Sequence, residues 1–200
     1  MNDSDTMTMD FRAVRSISGR GSESHQFAES LRGIAVDTTN RIYAVGDSVV
    51  KVFTTEGEFL KQWATERPGF SIAVGADGRV WVGQHEQVEI FAADGADAVT
   101  WRDADRMGLV TSIAVGEGDV FLGDASARCI HHYDLQGGFL NDIADKHRKG
   151  GLDIPNGVVD FSLDGDGILH AANPGMHRVE RYTAEGELLG HFGRFDGRDP

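Results

Sequence analysis

Arg32-Gly33-Ile34-Ala35-Val36-Asp37 is answered further along the chain by Phe70-Ser71-Ile72-Ala73-Val74-Gly75 and by Thr111-Ser112-Ile113-Ala114-Val115-Gly116. Val159-Asp160-Phe161-Ser162-Leu163-Asp164 answers it more loosely. The aligned positions Ile34, Ile72, Ile113 and Phe161 recur at intervals of 38, 41 and 48 residues. A period of that size marks a supersecondary unit that buries its apolar surface only by stacking on its neighbours. Each segment runs into a polar turn: Thr39-Asn40, Asp77-Gly78, Glu117-Gly118, and 164–167. Stretches 42–45, 80–82, 120–122 and 168–171 follow, dense in the β-branched and aromatic residues that strands prefer.

Third stretches at 49–53, 88–91, 129–133 and 179–182 alternate or nearly alternate in polarity and end on an aromatic, as half-buried strands do. Glu56-Gly57, Asp94-Gly95, Gln136-Gly137 and Glu185-Gly186 come next, where glycine supplies the positive φ of a tight hairpin. Fourth strands at 59–63, 99–101, 139–143 and 188–192 close each unit. No segment sustains apolar positions at helical spacing between the glycines; the longest candidate, 140–149, reads as a fourth strand running into a polar linker. The expected fold is all-β: a β-propeller of four-stranded antiparallel blades of about 40 residues each. Blades are expected at 31–63, 69–101, 110–143 and 157–193 within a single unit spanning 11–200, preceded by an acidic tail, 1–10.

These residues resemble the NHL-repeat family of β-propellers over about 27–193. Gly33-Ile34-Ala35-Val36-Asp37, Asp47 and Val52-Phe53 match its repeat, and Asn173-Pro174-Gly175-Met176-His177-Arg178-Val179 is similar to its Asp-Ser-x-Asn-His-Arg-Ile segment with the Asp changed to Asn. The family's rings hold five or six blades, whereas four fit here. Segment 11–19 reads as a lone fourth strand that would close the last blade of a ring, and 193–200 as a connection to another blade. The expectation is therefore part of a larger ring rather than a closed four-bladed one. Its open blade edges would let copies self-associate.

The chain carries 19 Lys and Arg against 32 Asp and Glu, a net charge of −13. That opposes nucleic acid as partner, because phosphate binding rests on cationic side chains. No apolar run reaches the roughly 20 residues of a membrane helix, and the polar N-terminus is no export signal, so the sequence as it stands reads as cytoplasmic; an incomplete N-terminus would leave an extracytoplasmic location open. The one cysteine, Cys129, has no internal partner and reads as a small buried hydrophobe.

In such a meander the first-to-second and third-to-fourth turns share one face, and the remaining loops share the other. The short-turn face collects Glu56, Glu58, Asp77, Asp94, Glu117, Asp119, Asp134, Asp164, Asp166, Glu185 and Glu187 against Arg79. The long-loop face is balanced, so a polar or anionic ligand is expected there. Candidate ligand-binding residues on it are His85, Asp124, Arg128, Asn173, His177 and Arg178; Lys146, His147, Arg148 and Lys149 form a candidate patch for an anion or acidic partner. His131 and His132, being adjacent, face opposite sides of their strand and have no zinc spacing. No serine sits in a nucleophile elbow and no glycine-rich loop opens a helix.

The residues thus favour a module that binds a protein or small-molecule ligand, or serves as a scaffold, over an enzyme. The stretch Pro155-Asn156-Gly157 with 161–165 is also similar to the gluconolactonase and senescence-marker propellers. That likeness implies the alternative: a hydrolase or lyase in which Asn156 helps to hold Ca²⁺ or another divalent cofactor. The Glu-Gly-Pro that the likeness requires at the first repeat is replaced by Leu31-Arg32-Gly33.

Overall fold

The computed structural model describes residues 16, 17, 19–145 and 151–193. Their strands pair only with sequence neighbours, antiparallel, in four sheets of four. The first holds β1 (Gly33–Val36), β2 (Ile42–Gly46), β3 (Val49–Phe53) and β4 (Phe59–Ala64); the second, β5 (Ser71–Val74), β6 (Val80–Gly83), β7 (Gln87–Phe91) and β8 (Val99–Arg102). The third holds β9 (Val110–Val115), β10 (Asp119–Asp124), β11 (Cys129–Asp134) and β12 (Phe139–Ile143); the fourth, β13 (Phe161–Leu163), β14 (Leu169–Asn173), β15 (Arg178–Tyr182) and β16 (Leu188–Phe192). This is the bladed architecture of a propeller, with about four blades.

Each contact between successive sheets is an apolar core. Tyr43, Val45, Val50 and Val52 of the first meet Ile72, Val80 and Val82 of the second. Trp81, Val88 and Ile90 then meet Val110, Val120 and Leu122 of the third, and Phe121, Ile130 and Ile143 meet Phe161, Leu169 and Ala171 of the fourth. The first strands β1, β5, β9 and β13 lie side by side in that order, but no packing of comparable extent joins β13 back to β1 among the described residues. The series is an arc with two flanks. On the first flank Phe27 and Ile17 cover Ala44 and Phe53, while Ile34 and Val36 stay 66% and 56% exposed.

The recurring glycine of the third-to-fourth turn has a second cause besides its φ. A Cβ on Gly95 (φ +88°) would lie 2.5 Å from the Trp63 ring of the preceding sheet, and one on Gly137 (φ +89°) 3.2 Å from Trp101. Each fourth-strand tryptophan thus seats on the bare backbone of the next sheet's turn. Segment 11–19, expected as a closing strand, lies largely outside the described residues, and so does the tail 1–10. At its described edge Arg20 bridges to Phe27 in parallel.

Candidate functional site

At or just past the end of each second strand stands a polar residue that ties down the segment leading into its sheet. Asp47 accepts the Ala28, Glu29 and Ser30 amides at 2.5, 3.1 and 2.7 Å. Gln84 donates to the Arg67 carbonyl, Asp124 accepts from Gly108, and Asn173 accepts from Asp153. On the facing third strand stand Lys51, Glu89, His131 and Glu180, all buried. Lys51 donates to the carbonyls of Ser24 and Gln26; Glu89 accepts the Glu66 amide. Burial favours pairing of polar groups, and these pairings fasten the connecting segments to the sheets.

The residues singled out on the long-loop face belong to three successive turns: His85 to the second sheet, Asp124 and Arg128 to the third, and Asn173, His177 and Arg178 to the fourth. Asp124 is fully buried and also takes the Ser126 and Ala127 amides at 2.7 and 3.0 Å. Arg128 (φ +59°) and His177 (φ +51°) make the left-handed corners of their turns. Arg178 Nε donates to Glu180 at 2.7 Å, and the carbonyl of His85 accepts from Arg67 at 2.8 Å. Asn156 sits in an exposed turn, its Oδ1 accepting the Val158 amide at 3.4 Å. Lys146, His147, Arg148 and Lys149 lie outside the described residues.

The third sheet carries an ionisable cluster that sequence reading missed. His131, 3% exposed, places Nδ1 2.6 Å from Asp142 Oδ1 and Nε2 3.2 Å from Asp124 Oδ2. Cys129 Sγ lies 3.6 Å from His131 Nδ1. Burial alone would lower the imidazole's pKa, but Asp124, Cys129 and Asp142 push it up to about 11. Burial raises the Cys129 thiol, against a smaller opposing effect of His131, so the sulfur is protonated at neutral pH. His132 points the other way, stacked on Phe121 at 4.4 Å and bonded to Asp119 at 3.0 Å, as strand alternation requires. The signal for the cluster was the register: His131 stands opposite Asp142 on β12, with Asp124 two places diagonal on β10.

A cavity of about 880 Å³ opens on the opposite, short-turn face. Its apolar floor comes from Ile113, Val115, Phe121, Phe161 and Leu163, on and beside the first strands of the third and fourth sheets. Its rim is the glycine-rich first-to-second turns, bearing Glu117, Asp119 and Asp164. Asp164 accepts the Asp166 and Ile168 amides of its own turn at 3.0 and 2.9 Å and the His170 ring at 2.7 Å, so its carboxyl is held below the usual carboxylate range. The rim is therefore rich in carboxyl groups above an apolar floor, the chemistry of a site for a cationic group on an apolar body.

No family model matches the chain, and no curated protein does. Solved structures do. A streptogramin B lyase structure is 14% identical with a TM-score of 0.63, covering 82% of this chain and 54% of that one. A catalytically inactive virginiamycin B lyase from Staphylococcus aureus with quinupristin is 14% identical, TM-score 0.64, covering 84% and 56%. A protein of unknown function from Bacteroides thetaiotaomicron VPI-5482 is 17% identical, TM-score 0.65, covering 87% and 48%. The chain thus spans about half the length of the structures it matches. At these identities the likeness carries the propeller fold and no activity. Among the described residues no helix is long and apolar enough to cross a membrane.

Proposed function

We propose that the chain is an NHL-like propeller module whose function is binding, and that its ligand presents an ammonium or guanidinium group on an apolar body to the cavity between the third and fourth sheets. The observation that carries this reading is the carboxyl-rich rim of Glu117, Asp119 and Asp164 above the floor of Phe121, Phe161 and Leu163. A long-loop site is less well supported, since Asp124 and Asn173 are buried, whereas Glu117 on the rim of the cavity is exposed.

The test uses two probes on the chain, a short peptide alternating Arg and Leu and a free alkylamine such as hexylamine, followed by amide chemical shifts. Saturable shifts confined to 113–119 and 161–167, weakened at least tenfold by Glu117→Lys, are the expected result. Peptide binding alone would identify the source as a protein segment; binding of both would identify a small amine. Shifts spread evenly over the acidic turns, or unchanged by Glu117→Lys, would overturn the reading.

A further inference from the structure

The cluster on β11 and β12 is unlike its counterparts. At the same register Lys51 bonds to backbone carbonyls, Glu89 to the Glu66 amide and the Gln84 side chain, and Glu180 to Arg178 and Tyr182, whereas His131 meets a thiol and two carboxylates. Among the described residues, Cys129, His131 and Asp142 are the set of His, Cys and carboxylate groups whose ligand atoms converge, all within 4.8 Å of one another. We propose that Cys129 Sγ, His131 Nδ1 and Asp142 Oδ1 bind a zinc-type divalent metal ion, with Asp124 orienting the histidine and a fourth coordination position open past Asp142.

The distances fit. With metal–sulfur and metal–nitrogen bonds of about 2.3 and 2.1 Å, two ligands of a tetrahedral site stand about 3.6 Å apart. That is the separation of Sγ and Nδ1, but Sγ also lies 3.9 Å from Nε2 and so off the Nδ1 lone-pair direction; the Cys129 side chain turns toward that direction when the ion binds. The 2.6 Å contact from Nδ1 to Asp142 is the site with a proton in the metal's place. On binding it opens by about 0.7 Å to reach ligand–ligand spacing. Asp142 lies on β12, the fourth strand of its sheet, with 34% of its side chain exposed, which gives its carboxylate room to withdraw and the ion a way in.

The protons balance. The metal ion displaces the Sγ hydrogen and the proton between Nδ1 and Asp142, while Nε2 keeps its hydrogen and donates it to Asp124. Two protons leave as two positive charges arrive, so the net charge of the buried cluster is unchanged. Asp124 is itself locked by the Gly108, Ser126 and Ala127 amides, and a carboxylate bonded to the far nitrogen of a ligating imidazole fixes its tautomer and aim. A mixed sulfur, nitrogen and oxygen set selects zinc and its neighbours over Ca²⁺ or Mg²⁺, which prefer oxygen alone.

Cobalt(II) titrated into the chelator-treated chain tests this, because a cobalt–thiolate bond absorbs in the near ultraviolet and Cys129 is the single thiol present. The expected result is a band saturating at one equivalent and abolished by one equivalent of zinc. Cys129→Ser should remove it with the far-ultraviolet circular dichroism intact, and Asp142→Asn should weaken affinity at least tenfold. Should Cys129→Ser fail to fold, Cys129→Ala, which keeps a small apolar side chain in the buried position, must remove the band instead. Absence of the band, its survival after loss of the thiol, or unchanged affinity in Asp142→Asn would each overturn the proposal. Neither the cavity on the opposite face nor its amine probes enter this readout.

Discussion

At the residue scale the period of the chain rests on pairs such as Gly95 and Trp63, which belong to different sheets but act as one fitting. Gly95 is bare twice over, for its positive φ and for the indole against it. Gly95→Ala is expected to cost about 1–3 kcal/mol, adding left-handed strain to overpacking. The measurement is the urea midpoint. Gly165, with open space around its Cβ position and no positive φ, is the control, and Gly165→Ala should change stability by less than about 0.5 kcal/mol. The glycine pattern was legible as hairpin chemistry, because a tight turn's φ depends on a few consecutive residues. The tryptophan contact was not legible, since it joins residues a blade apart.

At the scale of elements, the polar residue at the end of each second strand determines how the segment leading into that sheet is tethered. Burial acts to raise the Asp47 pKa, but the Ser30, Glu29 and Ala28 amides outweigh it and hold the carboxyl below its ordinary 3.8. A depressed carboxylate pKa means stability that is present above the unfolded value and lost as pH falls through the folded one. Acid unfolding below pH 3.8 should therefore be shallower in Asp47→Asn, which starts about 1 kcal/mol less stable at pH 7. Thermal melts of both proteins from pH 2.5 to 7 would show parallel curves if Asp47 made no such contribution. The position was visible in the sequence as Asp47 and Asp124, but its job was not. An Asp at a strand end reads equally as ligand or latch until the loop it holds is placed beside it.

For the whole molecule, stability runs through three cores in series, as in an array where each repeat meets only its neighbours. Phe121 lies in the core shared by the third and fourth sheets and is 1% exposed. Phe121→Ala is expected to cost about 3–5 kcal/mol. Hydrogen exchange should then lose protection across 110–143 and 161–192 together, while the first sheet keeps its protection. Uniform loss over all four sheets would indicate a single cooperative unit instead. The central pair on the face each sheet turns to the next changes along the arc: Tyr43 with Val52, Trp81 with Ile90, Phe121 with His132, and His170 with Arg181. The first two pairs are apolar, the third half apolar and the fourth polar, so the fourth sheet's outer face is chemically unlike the joints before it.

The chain's own order of residues determined the sheet class, the four units and the sorting of acidic turns to one face, because each follows from period, turn chemistry and charge read over a few consecutive positions. The sequence reading placed the ligand on the long-loop face by charge balance alone. Tertiary structure decided which polar side chains are spent on fastening the connecting segments, and it brought Cys129, His131, Asp142 and Asp124 to one point across three strands. It also hollowed the 880 Å³ cavity between two sheets on the acidic face. Register and the stacking of sheets set those distances, and both are collective outcomes of packing that no local stretch of the chain encodes.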